Sequence, residues 1–488
     1  MPLLTSVPIA ALPLERFESL IGGKAYLRLM ERFARGRDLL GGHAMWHVNS
    51  TARGGGVAEM LTSLLAYARG AGIDQRWEVI EGNEPFFAVT KRIHNNLHGA
   101  AGDGMPIDDE AREVYESVTR AAGEELANRV VPGDVVLLHD PQTAGMIPVL
   151  KRLDVPVVWR CHVGIDAANS ITRTAWEFLR GYVRQADAYV FSRKQFVWNE
   201  LEPDRTVLIA PSIDAYSAKN QELSDSQVAG ILAATGLQDS PTRTGDPSFV
   251  RMDTSPGRVE RRAEADEDRP LRPDDLMVLQ VSRWDRLKDP LGVIDGFVRH
   301  VLPHSDAHLV YAGPSVEAVA DDPEGQSVLG EAKARFAALP RQARERVHLV
   351  TLPMTDLEEN AVIVNALQRR ADVTVQKSIA EGFGLTVAEA MWKGRPVVAS
   401  RIGGIQDQIE DGRSGRLVDA QDLAAYGRAV VDLLADPDLA RAMGRQARHR
   451  VRNGFLGTRS LLQYIALFER LVTGQGRPAE VSAPSGYV

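Results

Sequence analysis

The feature that most restricts what this chain can fold into is an alternation, repeated in two blocks, of short apolar runs with stretches of helical periodicity. In the first block, apolar runs rich in β-branched or aromatic residues occur at 44–48, 77–80, 135–139, 157–160, 188–191 and 207–210. Segments 57–69, 111–128 and 172–184 carry apolar residues at three- and four-residue spacing between them. The second block reads the same way, with strands expected at 277–282, 308–313, 347–350, 372–376 and 396–399, and helices at 290–300, 356–370, 385–393 and 421–434. A crossover helix returns the chain to the end where the previous strand began, so such a pattern builds βαβ units and a parallel sheet. The expected fold class is α/β, with two Rossmann-like doubly wound domains facing a central cleft. The boundaries are a helical extension at 1–40, a first domain at 41–213, a connection at 214–275, a second domain at 276–454, and a helix and tail at 455–488. Open sheets of this kind bind ligands outside the carboxyl ends of their strands.

Composition narrows the partners. The 57 basic and 65 acidic residues leave a net charge of −8, which gives no general attraction to nucleic acid or to an anionic membrane. The single cysteine, Cys161, excludes an intrachain disulfide and a multi-cysteine zinc site. Asp274–Asp275 and Asp321–Asp322 stand in expected loops without further ligands, so no metal residues are assigned. The first 17 residues lack a basic region and contain Pro2, Pro8 and Pro13, unlike a secretory signal. No window approaches the ~18 uninterrupted apolar residues of a membrane span. The expectation is a soluble cytoplasmic protein whose partners are small molecules. The amphipathic 14–39 region is a candidate homodimer contact. From 256 to 275, 12 of 20 residues are charged, so 240–272 reads as a flexible insertion that buries little.

Three motifs fall just after expected strands. The first runs from His47 through Asn49 and Gly54-Gly55-Gly56 to Glu59; its glycines let backbone N–H groups approach a phosphate or a sugar at a helix start. Its spacing differs from the dinucleotide fingerprint. In the second, Arg283 and Lys288 flank a turn before a helix, where two cations can clamp a diphosphate. The third, Glu381-Gly382-Phe383-Gly384-Leu385-Thr386-Val387-Ala388-Glu389, places one carboxylate in a loop and a second in the following helix. Carboxylates accept paired hydrogen bonds from neighbouring sugar or ribose hydroxyls. Weaker signals are His139-Asp140-Pro141-Gln142 and Arg160-Cys161-His162, where Asp140 can hold an acceptor hydroxyl and His162 can bond a sugar hydroxyl. Neither a Ser–His–Asp order nor a His-Glu-x-x-His pattern is present.

With these residues in view, the chain resembles the retaining nucleotide-sugar glycosyltransferases of GT-B architecture. Within them it is similar to the trehalose glycosyltransferring synthases and the retaining trehalose phosphorylases. The resemblance rests on HVNSTARGGGVAEML, TKRIHNNLHG, HDPQTAG, APSID and EGFGLTVAEAMWKGRPVV, and spans most of 41–220 and 276–455. It implies transfer of glucose from a nucleoside-diphosphate-glucose to glucose with retention, giving trehalose. No cofactor is required, and the fold itself needs no Mg²⁺. In that reading Arg283 and Lys288 stabilise the leaving diphosphate and act with Glu381 as the catalytic set. Gly55 and Gly56 approach the phosphates, and His162 contacts the transferred glucose. The Gly382–Gly384 loop with Phe383, then Leu385 and Thr386, cradles the donor, and Glu389 holds its ribose. Asn49, Asp140 and Gln142 lie on the acceptor side. The chain departs from the family after Lys288, where Asp289-Pro290 stands, and at Ala215-Tyr216. Two alternatives share these residues: a trehalose phosphorylase, using free phosphate, and a non-catalytic sugar-nucleotide-binding protein.

Overall fold

The computed structural model describes residues 2–52, 55–239, 245–316 and 324–474. They form two compact units: Met1–Ser212 with the segment that returns from Gly457, and Ile213–Leu456. Arg53, Gly54, Asp321 and Asp322 lie outside the described residues, as do 240–244 and the end of the tail.

The first unit is a seven-stranded sheet of β1 (Leu4–Val7), β2 (Met45–Asn49), β3 (Gln75–Ile80), β4 (Val135–His139), β5 (Val157–Cys161), β6 (Ala188–Phe191) and β7 (Thr206–Leu208). Their spatial order is β1-β3-β2-β4-β5-β6-β7. All neighbours are parallel except β1, which pairs antiparallel with β3, Leu4 facing Ile80. The 1–40 segment is therefore not wholly helical: four residues cover the edge of β3 and leave only a short strand at the sheet's border. The central strands are buried on both faces, which is why 135–139 reads as the continuous run VVLLH rather than an alternation. Side-chain caps set the helix starts: Asn83 accepts from Phe86 N, Asp108 from Ala111 N and Asn169 from Thr172 N.

Helix Gly23–Leu40 buries Leu29, Phe33, Gly36 and Leu40, and packs on the chain's own helix Gly457–Thr473. Much of the apolar stripe in the expected 14–39 contact region is thus covered within the chain, while Leu27 stays exposed. A Cβ at Gly36 would stand 3.3 Å from Ile465, so the small residue permits the close approach. Arg32 and Arg35 reach Glu469 across the same contact at 3.1 and 3.4 Å.

The second unit holds β8 (Ser248–Val250), β9 (Pro256–Arg258), β10 (Glu264–Asp266), β11 (Met277–Val281), β12 (His308–Pro314), β13 (Val347–Leu352), β14 (Val373–Gln376), β15 (Val397–Ser400) and β16 (Arg416–Val418). Its main sheet runs β10-β13-β12-β11-β14-β15-β16, parallel apart from the edge strand β10.

The flexible-insertion reading of 240–272 is corrected over its described residues. Strands β8 and β9 pair as a small antiparallel sheet and β10 extends the main one. Phe249, Val259 and Leu271 are buried in the unit's core. The charges have distant partners. Arg251 spans Asp356 at 2.6 Å and Glu358 at 3.2 Å, and Arg261 pairs with Glu359. The buried Glu359 carboxylate also accepts the backbone N–H groups of Glu260 and Arg261, at 2.7 and 2.6 Å. Among the described residues, no helix is long and apolar enough to cross a membrane.

Candidate active site

In the second unit the strand order reverses between β11 and β14, and the loops after these two strands carry the strongest sequence candidates. Lys288 Nζ donates to Glu381 Oε2 at 2.6 Å, with both side chains more than four-fifths buried. Ser378 adds a longer hydrogen bond to the same oxygen, at 3.4 Å. Arg283 leans on Asp285 at 3.3 Å and is about two-fifths exposed. A buried polar lattice holds the two loops in place. Gln280 donates to Lys288 O at 2.9 Å and accepts from Lys377 N at 3.0 Å. Gln376 donates to Ser282 and Ser378 and accepts from Thr386 Oγ1 at 2.8 Å.

Asp289, with φ 51°, caps helix Pro290–His300 by accepting from Gly292 N at 3.0 Å, and its carboxylate also pairs with the buried Lys377. The Asp-Pro that departs from the family thus combines a left-handed N-cap with a proline at the first helical position. Sequence reasoning missed Lys377, although a lysine directly after a buried strand was a readable signal.

Gly384 has φ 81° and caps helix Leu385–Trp392, so its place in the motif is a backbone requirement. Phe383 is buried, and its carbonyl accepts from Gln408 Nε2 at 2.5 Å. Gly382 O accepts from Gly404 N at 3.0 Å, and a Cβ at Gly403 would stand 1.8 Å from Glu381 O. The loop bearing Glu381 is therefore clamped from behind by 403–408. Glu389 lies deeper, 2% exposed, with Lys219 Nζ 3.8 Å from Oε1. Its neighbour Lys393 is pushed well below the usual lysine range by burial, which the charge of Glu389 opposes. The two glutamates sit at different depths, and only Glu381 is paired with Lys288.

In the first unit the strand order reverses between β2 and β4, and the weaker candidates cluster at the carboxyl ends of β2, β4 and β5. Gly55, with φ 136°, precedes helix Gly56–Gly70. Asn49 is buried; its amide donates to Thr51 O at 2.6 Å and accepts from Trp77 Nε1 at 2.8 Å, so it shapes the loop. Asp140 has φ 64°, and its Oδ1 accepts from His162 N at 2.7 Å. Burial pushes its carboxyl up to about 7, against the opposing pull of that N–H and of Arg160. Gln142 Oε1 is buried with no hydrogen-bond partner among the described residues.

Behind these groups the imidazoles of His47, His139 and His162 stand in a row, with ring nitrogens 3.3 and 3.2 Å apart. Sequence reasoning did not assign His47 or His139 a role; their only mark is a polar residue inside an otherwise apolar strand.

The trehalose synthase N-terminal domain family matches residues 47–198, and the glycosyl transferases group 1 family matches 261–450. A trehalose synthase from Pyrococcus horikoshii is 35% identical over 460 residues, covering 94% of this chain and 96% of that protein. A trehalose phosphorylase from Grifola frondosa is 26% identical over 86% of this chain and 56% of its own length. Among solved structures, a UDP-forming α,α-trehalose-phosphate synthase from Burkholderia xenovorans superposes with a TM-score of 0.64 at 13% identity, covering 88% of this chain and 99% of that one. The likeness at that identity concerns the fold. The synthase match runs nearly end to end in both chains: this chain belongs to the trehalose synthase family of GT-B glycosyltransferases, and it is a hexosyltransferase of trehalose metabolism.

Proposed function

We propose that the protein transfers glucose from a nucleoside-diphosphate-glucose to free glucose, with retention, giving trehalose. The observation that carries this reading is the Lys288–Glu381 pair at the β11/β14 switch point, beside Arg283 and the left-handed Gly384. Lysine has three donors and a carboxylate has four lone-pair sites, so each partner can keep its mutual contact and still engage a ligand. Arg283 and Lys288 meet the diphosphate, whose charge grows as the anomeric C–O bond breaks. Glu381 and the 382–384 backbone take hydroxyls of the glucose, with Leu385 and Thr386 opening the helix behind them; Glu389 takes the ribose. Gly55 and Gly56 approach the phosphates, and His162 takes a hydroxyl of the transferred glucose. On the acceptor side, the unpartnered Gln142 oxygen and Asp140 are suited to receive O–H groups, and Asn49 shapes the neighbouring loop after β2. The new C–O bond forms on the face the diphosphate leaves, and the acceptor proton passes to the departing phosphate oxygen. With two cations on the diphosphate, the reading assigns no resident metal.

The test is a panel of ADP-, UDP- and GDP-glucose with glucose, reading nucleotide release and disaccharide identity, with and without EDTA. Trehalose formed with stoichiometric nucleotide, unaffected by EDTA, is the expected result. Turnover of trehalose with inorganic phosphate but not of any nucleotide-glucose would instead identify a phosphorylase, the reading that the fungal relative favours. Binding without either turnover would leave a sugar-nucleotide-binding protein.

A further inference from the structure

The row of histidines is longer than the site needs. From its inner end, Gln75 Nε2 donates to Met45 Sδ at 3.3 Å, and Gln75 Oε1 lies 3.1 Å from His47 Nε2. His47 Nδ1 is 3.3 Å from His139 Nε2, and His139 Nδ1 is 3.2 Å from His162 Nε2. Successive rings are near parallel, at 23° and 16°. Met45, His47, Gln75 and His139 are buried, while His162 is partly buried.

Each contact between two neutral imidazoles needs one N–H and one bare nitrogen, and each neutral ring has one of each. The direction of the first bond therefore fixes all the others. The thioether of Met45 is a weak acceptor, so it orients the Gln75 amide with N–H toward sulfur and oxygen toward His47. His47 then donates through Nε2 and accepts at Nδ1, and His139 does the same. His162 donates through Nε2 to His139, and its Nδ1 stays bare. Neutrality of the rings follows from their surroundings. Burial brings His47 down to about 4 and holds His139 and His162 well below the usual histidine range. The charge of the buried Arg160, paired in register with His139, acts in the same direction on both. Asp140 is spent on the backbone N–H of His162 rather than on its ring.

We propose that Met45, Gln75, His47 and His139 form a one-way hydrogen-bond relay that holds His162 as its Nε2–H tautomer, leaving Nδ1 to accept a hydroxyl of the transferred sugar. His47, Gln75 and His139 are then positioning residues, and His162 is the specificity-determining contact. The sugar half of the proposal rests on the glucosyltransferase reading; the tautomer half does not.

Long-range ¹H–¹⁵N spectra of the ligand-free full chain, labelled at histidine, read the tautomer directly. A protonated Nε2 and a bare Nδ1 on His162 at pH 7 are expected. An Nδ1–H tautomer, or an imidazolium at pH 6.5, would overturn the relay. Kinetics then test its consequence with nucleotide-glucose and its four monodeoxy analogues. The wild type is expected to lose ~10-fold or more in kcat/KM with one analogue, the scale of one hydrogen bond to a neutral group. His139→Leu should cut that discrimination to less than threefold, whereas His139→Asn, whose Oδ1 replaces the ring Nδ1 as acceptor, should retain it. Equal discrimination in wild type and His139→Leu would overturn the sugar half. If no nucleotide-glucose is turned over, the functional reading fails, yet the spectra still decide the relay.

Discussion

At the scale of single residues, the Lys288–Glu381 contact joins stability to chemistry. Lys288→Ala should lower turnover by ~10²–10³, the scale of a lost charge contact in a transition state. Because both side chains are largely enclosed, it should also cost about 1–3 kcal/mol of stability, as removing one partner of a buried polar pair does. Glu381→Gln in the same background should recover part of that loss, and a double-mutant cycle in urea measures the coupling. Asp140 makes a prediction about pH. Its carboxyl, held at about 7, binds a proton more tightly in the folded chain than in the unfolded one, where it titrates near the ordinary aspartate value. The folded state thus carries more protons between these two pH values, and this group's contribution to stability falls as pH rises from about 4 to 7. Asp140→Asn keeps the acceptor for His162 N and tolerates φ 64°, so it should flatten the decline in melting temperature between pH 5 and pH 7.5. An unchanged pH profile in this variant would show that the carboxylate is not desolvated. Glu381 and Lys288 were legible because each stands in a short motif after a strand. The partners that hold them were not. Gln280 and Gln376 read as strand interior, and their mutual geometry exists only once β11 and β14 are neighbours.

At the scale of elements, strands buried on both faces were legible almost to the residue, because burial leaves only apolar, β-branched choices: 135–139 and 188–191 coincide with β4 and β6. Three of the four edge strands of the two main sheets were not. Strands β1, β10 and β16 have three or four residues each, and what makes β1 and β10 strands is a partner far away in sequence. Helix Asp225–Thr235 was also missed. Its apolar residues lie around the whole circumference, so no face stands out, although its Ser224–Gln227 capping box and left-handed Gly236 mark both ends. The charged run at 256–275 misled for a related reason. Arg261 looked solvated because its partner Glu359 lies about a hundred positions away, as Asp356 and Glu358 do from Arg251 just ahead of the run. Replacing 248–266 with a Gly/Ser linker is therefore expected to destabilise the second unit strongly, since it uncovers Phe249 and Val259 and strips Glu359 of its partners. Arg261→Ala is the milder probe. Two backbone N–H groups remain on Glu359, so denaturant unfolding should register a loss of about 1–3 kcal/mol. A loss below ~0.5 kcal/mol, the usual size for an exposed surface change, would restore the view of this segment as a solvated loop.

At the scale of the whole molecule, the second unit is a continuous stretch inserted into the first, which is completed only when the chain returns. Ile213 N donates to Phe455 O at 2.9 Å, so the points where the chain enters and leaves the second unit lie side by side. The returning helix Gly457–Thr473 then buries Leu461, Ile465, Leu467 and Phe468 within the first unit. It roofs a small apolar cavity of about 50 Å³, together with Phe33, Met60 and Leu64. Ending the chain after Leu456 would thus leave the second unit whole while uncovering an apolar face of the first. Each unit has its own core, so calorimetry should resolve the two responses. The truncation should lower only the transition of the first unit. A nucleoside diphosphate, whose proposed side-chain contacts through Arg283, Lys288 and Glu389 lie in the second unit, with only the backbone at Gly55 and Gly56 approaching it from the first, should raise chiefly the other. At 100 times its dissociation constant, such a ligand stabilises the unit that binds it by about 2.7 kcal/mol, enough to separate the peaks. The truncated chain should show the same ligand-induced rise in its second transition as the full chain. A ligand-induced rise confined to the first transition would place the nucleotide on the wrong unit in the proposed mechanism and overturn the Lys288 and Glu389 assignments together.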